Sequence, residues 1–193
     1  MSETDYIVSL TTIPAKIEYI YNTLDSLLCQ TMPVKAIVIN IPASYSLRFD
    51  NACIDSNSIE KIKDTYKNKN IIINHIKNDY GPGTKLLGLL QSYILDDYSK
   101  ESFIVIVDDD LIYKQDIIET FHKRYQLDNN INFASFWGYE YNNVYIGQAA
   151  DMLFIKKKHL SVFNSYFNII KHYNRLLYHD DFYISYYFYL LNI

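Results

Sequence analysis

Asp108, Asp109 and Asp110 follow directly on the five-residue apolar run Phe103–Val107. Side chains alternate along a strand, so an extended chain here points Asp108 and Asp110 one way and Asp109 the other. The carboxyl end of a buried parallel strand is where open α/β sheets place ligands. Adjacent carboxylates repel one another and raise each other's pKa, a cost that a hard divalent cation removes. Mg2+ or Mn2+ takes few carboxylates, several waters and the phosphate oxygens of a ligand. The spacing therefore predicts a metal–diphosphate site with Asp108 and Asp110 as metal ligands. A solvated acidic turn after a buried strand is the plainer alternative.

Other residues could serve the same site. Thr11 and Thr12 stand at the carboxyl end of the first predicted strand, where their hydroxyls and backbone could bind a base or ribose. A threonine capping a helix ahead of Pro14 is an equal reading. Asp79, Gly81 and Gly83 bracket Pro82 in a tight turn before a helix. Glycine permits close backbone approach to a ligand, and a helix start offers N–H groups to an anion. Lys85, on that first turn, could reach a phosphate; lysine is disfavoured there by the helix dipole, which argues for a functional reason. Arg48, in the loop after the second strand, is a weaker phosphate candidate. Near the end, Asp180 and Asp181 open the last predicted helix, a place the dipole favours for acids in any case.

The elements that must position these groups are readable from periodicity. Strands are predicted at Tyr6–Leu10, Val34–Ile41, Ile71–Ile76 and Phe103–Val107, and helices over the apolar stripe Ile17–Leu28, over Ser58–Lys67 and over Thr84–Leu95. Strand–helix alternation of these lengths implies an α/β sheet with parallel strands. The rest of the chain changes character. A helix is expected at Gln115–Tyr125, and short strands at Asn132–Trp137 and Val144–Ile146 with Asn142-Asn143 as the turn between them. A strand at Met152–Ile155 and helices at Lys157–Phe167 and Phe182–Leu190 follow. No linker or repeat divides residues 1–193, so one domain is expected, with a nucleotide-binding half (1–113) and a second half (114–193) that supplies something else.

Composition narrows the function. The 193 residues carry a formal charge of −4, without the basic surplus of a nucleic-acid binder. Two cysteines, Cys29 and Cys53, make no disulfide scaffold or zinc spacing, and Cys29 reads as a buried free thiol. No signal peptide and no transmembrane segment are expected, so the chain reads as cytoplasmic. The surplus of Ile, Asn and Lys fits a low-GC genome. The cluster Lys156–His159 reads as a solvated helix start, or a docking point for an anionic lipid or acidic glycan. The run Phe182–Leu191 is too short to span a bilayer; its apolar face reads as core or as a homodimer contact.

Four segments together carry a resemblance: VSLTTIPAK (Val8–Lys16), NDYGPGTKL (Asn78–Leu86), IVDDDLIY (Ile106–Tyr113) and HDDFYIS (His179–Ser185). The chain resembles the GT-A-fold, DxD-containing glycosyltransferases, most of all the small single-domain ones of large DNA viruses and bacterial polysaccharide clusters. The resemblance implies a Rossmann-like nucleotide-diphospho-sugar transferase fold, with a mixed central sheet flanked by helices. It implies a metal-dependent enzyme using Mn2+ or Mg2+ and a nucleotide-sugar donor, a UDP-sugar, with a glycan as acceptor and the host cytoplasm as location if viral. It places Thr11, Thr12, Asp79, Gly81, Lys85, Asp108 and Asp109 on the nucleotide. Inverting members carry a late acidic pair whose second acid is the general base, which is Asp181 here, with Asp180 orienting the acceptor. Trp137, Asp151 and His179 fall where the family binds acceptor or donor sugar, His179 also being a possible third metal ligand. A nucleotide-sugar-binding scaffold of the same fold and a retaining transferase, in which Asp181 is no base, stand as alternatives. A haloacid-dehalogenase-like phosphatase also uses Asp-x-Asp after a strand, but wants a small or hydroxylated residue soon afterwards, and Leu111-Ile112-Tyr113 offers none.

Overall fold

The structure, a computed structural model, describes residues 4–173 and 175–193. Four strands that the sequence reads as apolar runs, β1 (Tyr6–Thr11), β2 (Ala36–Pro42), β3 (Ile71–Ile76) and β4 (Phe103–Ile106), pair in parallel in the order β3-β2-β1-β4. Helices α1 (Ile20–Leu28), α2 (Ser56–Thr65) and α3 (Thr84–Leu90) connect them. Beyond β4 the sheet turns mixed. β8 (Leu153–Lys156) runs antiparallel to β4, and β5 (Phe133–Ser135) runs antiparallel to β8. The expected mixed central sheet flanked by helices is what the chain forms.

Strand alternation builds two cores, one on each sheet face. Tyr6, Val8 and Leu10 face α1, α2 and the helix α4 (Ile117–Leu127). Ile7, Ile104 and Ile106 face α3, α5 (Phe163–Ile170) and α6 (Asp180–Leu190). Strands covered on both faces are apolar throughout, which is why they read as continuous runs rather than alternating ones. β2 leaves β1 on one side and β4 flanks it on the other, so the connections diverge at the carboxyl ends of β1 and β4, the switch point that forms a crevice.

Several local expectations change. The turn at Asn142-Asn143 is present, with φ of 49° and 63°, as a tight hairpin turn requires. It joins β6 (Gly138–Tyr141) to β7 (Val144–Gly147) in a separate two-stranded ribbon, while the segment at 133–135 adds to the main sheet. The β6 register puts Gly138 opposite Gly147, and a Cβ at Gly138 would lie 2.5 Å from the Tyr145 ring. Helix α3 stops at Leu90 rather than Leu95, and just beyond its end the Ser92 hydroxyl donates to the Leu89 carbonyl at 2.7 Å. The helix expected over Lys157–Phe167 is a 3-10 turn, Lys157–Leu160, followed by α5. Cys29 is exposed rather than buried; it caps α1 after the apolar stripe has ended. Among the described residues no helix is long and apolar enough to cross a membrane.

Candidate active site

The acidic run begins where β4 stops. Since the strand ends at Ile106, strand alternation does not set the three carboxylates, and the chain bends instead. A row of polar side chains, two on α1 and one just past its end, holds the bend. Thr23, Ser26 and Gln30, at i, i+3 and i+7, are all buried. The Thr23 hydroxyl reaches the carbonyls of Asp109 (2.9 Å) and Leu111 (2.8 Å). Ser26 Oγ accepts the Tyr113 N–H at 3.1 Å, and Gln30 donates to the Lys114 carbonyl at 2.8 Å. The Asp108 N–H is taken by the Tyr113 hydroxyl at 2.9 Å. The backbone of the loop is therefore fixed from below, with Asp108 and Asp110 more open than the buried Asp109. This row was missed in the sequence, where its helical spacing beside the apolar stripe was the available signal.

Above the bend lies a polar cleft of about 310 Å³, lined by Thr11, Thr12, Lys16, Arg48, Lys85, the three aspartates, Asp180 and Asp181 among others. Five carboxylates thus face three cationic side chains. Lys85 ties the two acidic segments together, its ammonium 2.7 Å from Asp108 and 3.1 Å from Asp180. It is almost fully buried. Burial alone would lower its pKa, but the carboxylates of Asp180 and Asp108 overcome this and hold it above the ordinary lysine range. The conflict of a lysine on the first turn of α3 is resolved by the same two acids. Lys16, which the sequence gave no reason to single out, pairs with Asp110 at 2.6 Å in a half-exposed contact.

Asp109 turns inward. Its Oδ2 and the Thr12 hydroxyl are buried with no hydrogen-bond partner among the described residues. Burial pushes its carboxyl up, against the pull of Lys16. Asp181 sits at the start of α6 and accepts the Ala149 N–H at 3.0 Å. Burial and the neighbouring Asp180 push its pKa up to about 6, with Lys85 opposing.

The same two acids also line a second, larger cleft of about 650 Å³, walled by Tyr139, Tyr141, Gln148, Tyr178, His179 and Phe182. One cleft is charged, the other aromatic, and Asp180 and Asp181 are the residues they share.

Not every residue singled out in the sequence comes to these clefts. Asp79 lines neither, because its oxygens accept the N–H groups of Leu47 (2.9 Å) and Gly81 (2.8 Å), binding the loop that carries Arg48 to the turn before α3. Gly81 is needed for that turn, at φ +59°, and Pro82 lines the polar cleft in its place. Trp137 is 64% exposed and lines neither cleft. Asp151 lines a separate cavity of about 470 Å³ beside Tyr113 and Phe136. Among the described residues no group of three or more His, Cys, Asp or Glu side chains is placed to hold a metal ion; His179 lines the aromatic cleft, whereas Asp108 and Asp110 line the polar one.

No protein-family model matches the chain, and no curated protein matches it in sequence. Solved structures do match in fold. Residues 1–349 of TarS from S. aureus superpose with a TM-score of 0.53 at 14% identity, over 83% of this chain and 49% of that one. The same protein in complex with UDP-GlcNAc gives 0.53 at 14%, over 83% of this chain and 48% of that one. The glycosyltransferase GlyE of Streptococcus pneumoniae TIGR4 gives 0.51 at 16%, over 90% of this chain and 40% of that one. The chain has the GT-A-like fold. It spans about half or less of the length of these structures. In the GT-A-like frame the polar cleft lies at the carboxyl ends of β1 and β4, the crevice the topology opens.

Proposed function

We propose that the chain is a glycosyltransferase moving a sugar from a nucleotide-sugar donor, a UDP-sugar, to a hydroxyl of a glycan acceptor with inversion. The observation that carries this reading is the meeting of a charged cleft and an aromatic cleft at Asp180 and Asp181. The fold shared with TarS, whose structures include UDP and UDP-GlcNAc complexes, and with the glycosyltransferase GlyE supports it.

In this reading the nucleoside lies against Thr11 and Thr12 and the diphosphate beside Lys16, Arg48 and Lys85. Asp108 and Asp110 fit a Mn2+ or Mg2+ ion: they are hard oxygen donors, two in number as such ions prefer beside phosphate oxygens, in a cleft with more carboxylates than cations. Asp108 and Asp110 would hold the ion where it would neutralise charge on the leaving diphosphate. Lys85 holds Asp108 and Asp180 in place before any ligand arrives.

Asp181 is the general base. The Ala149 N–H fixes one of its oxygens, and its raised pKa puts proton uptake near neutrality. The acceptor hydroxyl enters from the aromatic cleft and its oxygen attacks the anomeric carbon. The new carbon–oxygen bond forms as the bond to the phosphate oxygen breaks, the electron pair leaves on the nucleoside diphosphate, and the hydroxyl proton passes to Asp181. The transition state has oxocarbenium character, as in glycoside hydrolysis. Asp180, held by Lys85, keeps the pair in register.

Incubation with a panel of nucleotide sugars and glycan acceptors, with and without Mn2+, tests the reading. Metal-dependent UDP release that vanishes in Asp110→Ala supports it, and inverted stereochemistry of the new linkage supports Asp181 as base. The lysine pairing of Asp108 and Asp110 favours a second reading, in which Lys16 and Lys85 alone balance the diphosphate. Equal turnover in a chelator would establish that one. UDP binding without transfer to any acceptor would mark a scaffold.

A further inference from the structure

Past its two opening acids helix α6 is apolar but for Ser185 and the tyrosine hydroxyls, yet only part of it is buried. A helix apolar all round belongs in a core, so an exposed side of this kind asks for a partner. The outer stripe is half-buried Phe182 followed by Tyr186 and Tyr189, at i, i+4 and i+7, with Tyr186 37% and Tyr189 47% exposed. These rings form a chain of contacts. Tyr141 of β6 meets Phe182 edge-on, with ring centres 6.0 Å apart. Phe182 and Tyr186 lie nearly parallel at 6.2 Å, and Tyr186 and Tyr189 follow at 5.8 Å. The chain of rings starts inside the aromatic cleft, since Tyr141 and Phe182 line it, and it leads away from Asp181 along the outside of α6.

We infer that this track binds an extended, neutral oligosaccharide, so that the acceptor is a chain of several sugar units rather than a single sugar. The inference rests on the transferase reading and names its acceptor class. Three observations favour a glycan over another occupant. The track is continuous with the cleft that ends on the proposed base, so a polymer whose terminal hydroxyl sits at Asp181 has a path out along it. Its exposed members past the cleft are tyrosines, which offer a flat apolar face and a hydroxyl together, as the C–H faces and hydroxyls of a sugar require. The segment from Phe182 to Leu191 carries no charged residue, so nothing in it would recognise a polyanionic glycan or a charged peptide.

The test measures binding of neutral β-1,4-glucan, chitin, α-1,4-glucan and β-mannan fragments, one to six units long, to the whole chain by titration calorimetry. Affinity is expected to rise at least tenfold from disaccharide to hexasaccharide in one of these series. The double variant Tyr186→Ala/Tyr189→Ala should bring the hexasaccharide down to the disaccharide's affinity, while Tyr186→Phe/Tyr189→Phe, which keeps the rings, should retain most of the gain. Thermal melts of both variants check that the fold is intact. No length dependence in any series, or a hexasaccharide affinity unchanged by the alanine pair, overturns the proposal. So does a wild-type dimer in sedimentation that the alanine pair dissociates, because the stripe is then a protein contact. UDP binding, measured separately, keeps the two readings apart: length-dependent glycan binding with no UDP binding removes the transferase and leaves the track.

Discussion

Asp181 and Lys85 are the residues on which the site's chemistry turns, and each makes a different claim. If Asp181 is the base, Asp181→Asn removes proton uptake but keeps the oxygen that accepts the Ala149 N–H. Transfer should then fall by roughly 10²–10⁴-fold while UDP affinity holds, which single-turnover kinetics and calorimetry separate. The wild-type rate should rise with pH through about 6, as Asp181 loses its proton, and the substituted enzyme should lack that limb. The same shift has a stability sign. The folded-state pKa lies above the unfolded one, so the fold favours the protonated acid; its contribution is full below the unfolded pKa and is lost as pH rises through about 6. Asp181→Asn should therefore be more stable than wild type in urea unfolding at pH 8, by up to about 3 kcal/mol, with the advantage shrinking at pH 5. Lys85 behaves oppositely. Lys85→Met leaves Asp108 and the buried Asp180 without their shared cation, and should cost about 3 kcal/mol in urea unfolding at neutral pH. If Lys85 were only a phosphate ligand waiting for its substrate, that loss would be absent.

At the scale of elements, helix α1 holds a site it does not line with its own carboxylates. Thr23 and Ser26 on the helix, with Gln30 just past its end, form the row beneath residues 109–118. Thr23→Val keeps the shape and removes the donor, leaving the Asp109 and Leu111 carbonyls short of a partner, which should cost about 1–3 kcal/mol. It should also weaken UDP binding, since the loop is free to move; unchanged affinity would mean that the loop is set from elsewhere. This row shows what the sequence displayed and what it hid. The four parallel strands were legible because strands buried on both faces must be apolar throughout. The acidic run after β4 was legible because a continuous apolar strand leads straight into it, whereas the pair that opens α6, a place the helix dipole favours for acids in any case, was singled out by the resemblance. The alternation of the three carboxylates was legible, with Asp109 turned inward and Asp108 and Asp110 toward lysines, but the bend after Ile106 was not, because the polar groups that hold it lie some eighty residues earlier in the chain. Lys16 was hidden among many lysines, since only the fold brings it to Asp110. The aromatic wall went to Tyr139, Tyr141 and Phe182 rather than Trp137, because the Asn142-Asn143 turn takes β6 and β7 out of the main sheet and lays the ribbon beside α6.

Across the whole molecule, charge decides how a ligand can enter. The chain carries −4 overall, and its polar cleft gathers five carboxylates against Lys16, Arg48 and Lys85. A nucleoside diphosphate brings more negative charge into that cleft, at a place where low dielectric strengthens every repulsion. Binding of UDP alone should therefore be weak, and a divalent cation should strengthen it by offsetting the excess. Because anything that binds only the folded state raises its stability, the coupling is readable as a melting shift. With UDP and Mn2+ together at about a hundred times the dissociation constant, the gain is about 2.7 kcal/mol, or roughly 5–10 °C for a domain of this size. UDP without the ion, at the same concentration, should give a much smaller shift, and Asp110→Ala should reduce the combined shift to that level. A full shift from UDP alone would show that the three cationic side chains suffice and that the acidic run has a purpose other than holding an ion. Salt separates the two further. A balance set by half-exposed Lys16 and Asp110 weakens as ionic strength rises, whereas an ion coordinated by Asp108 and Asp110 is screened far less.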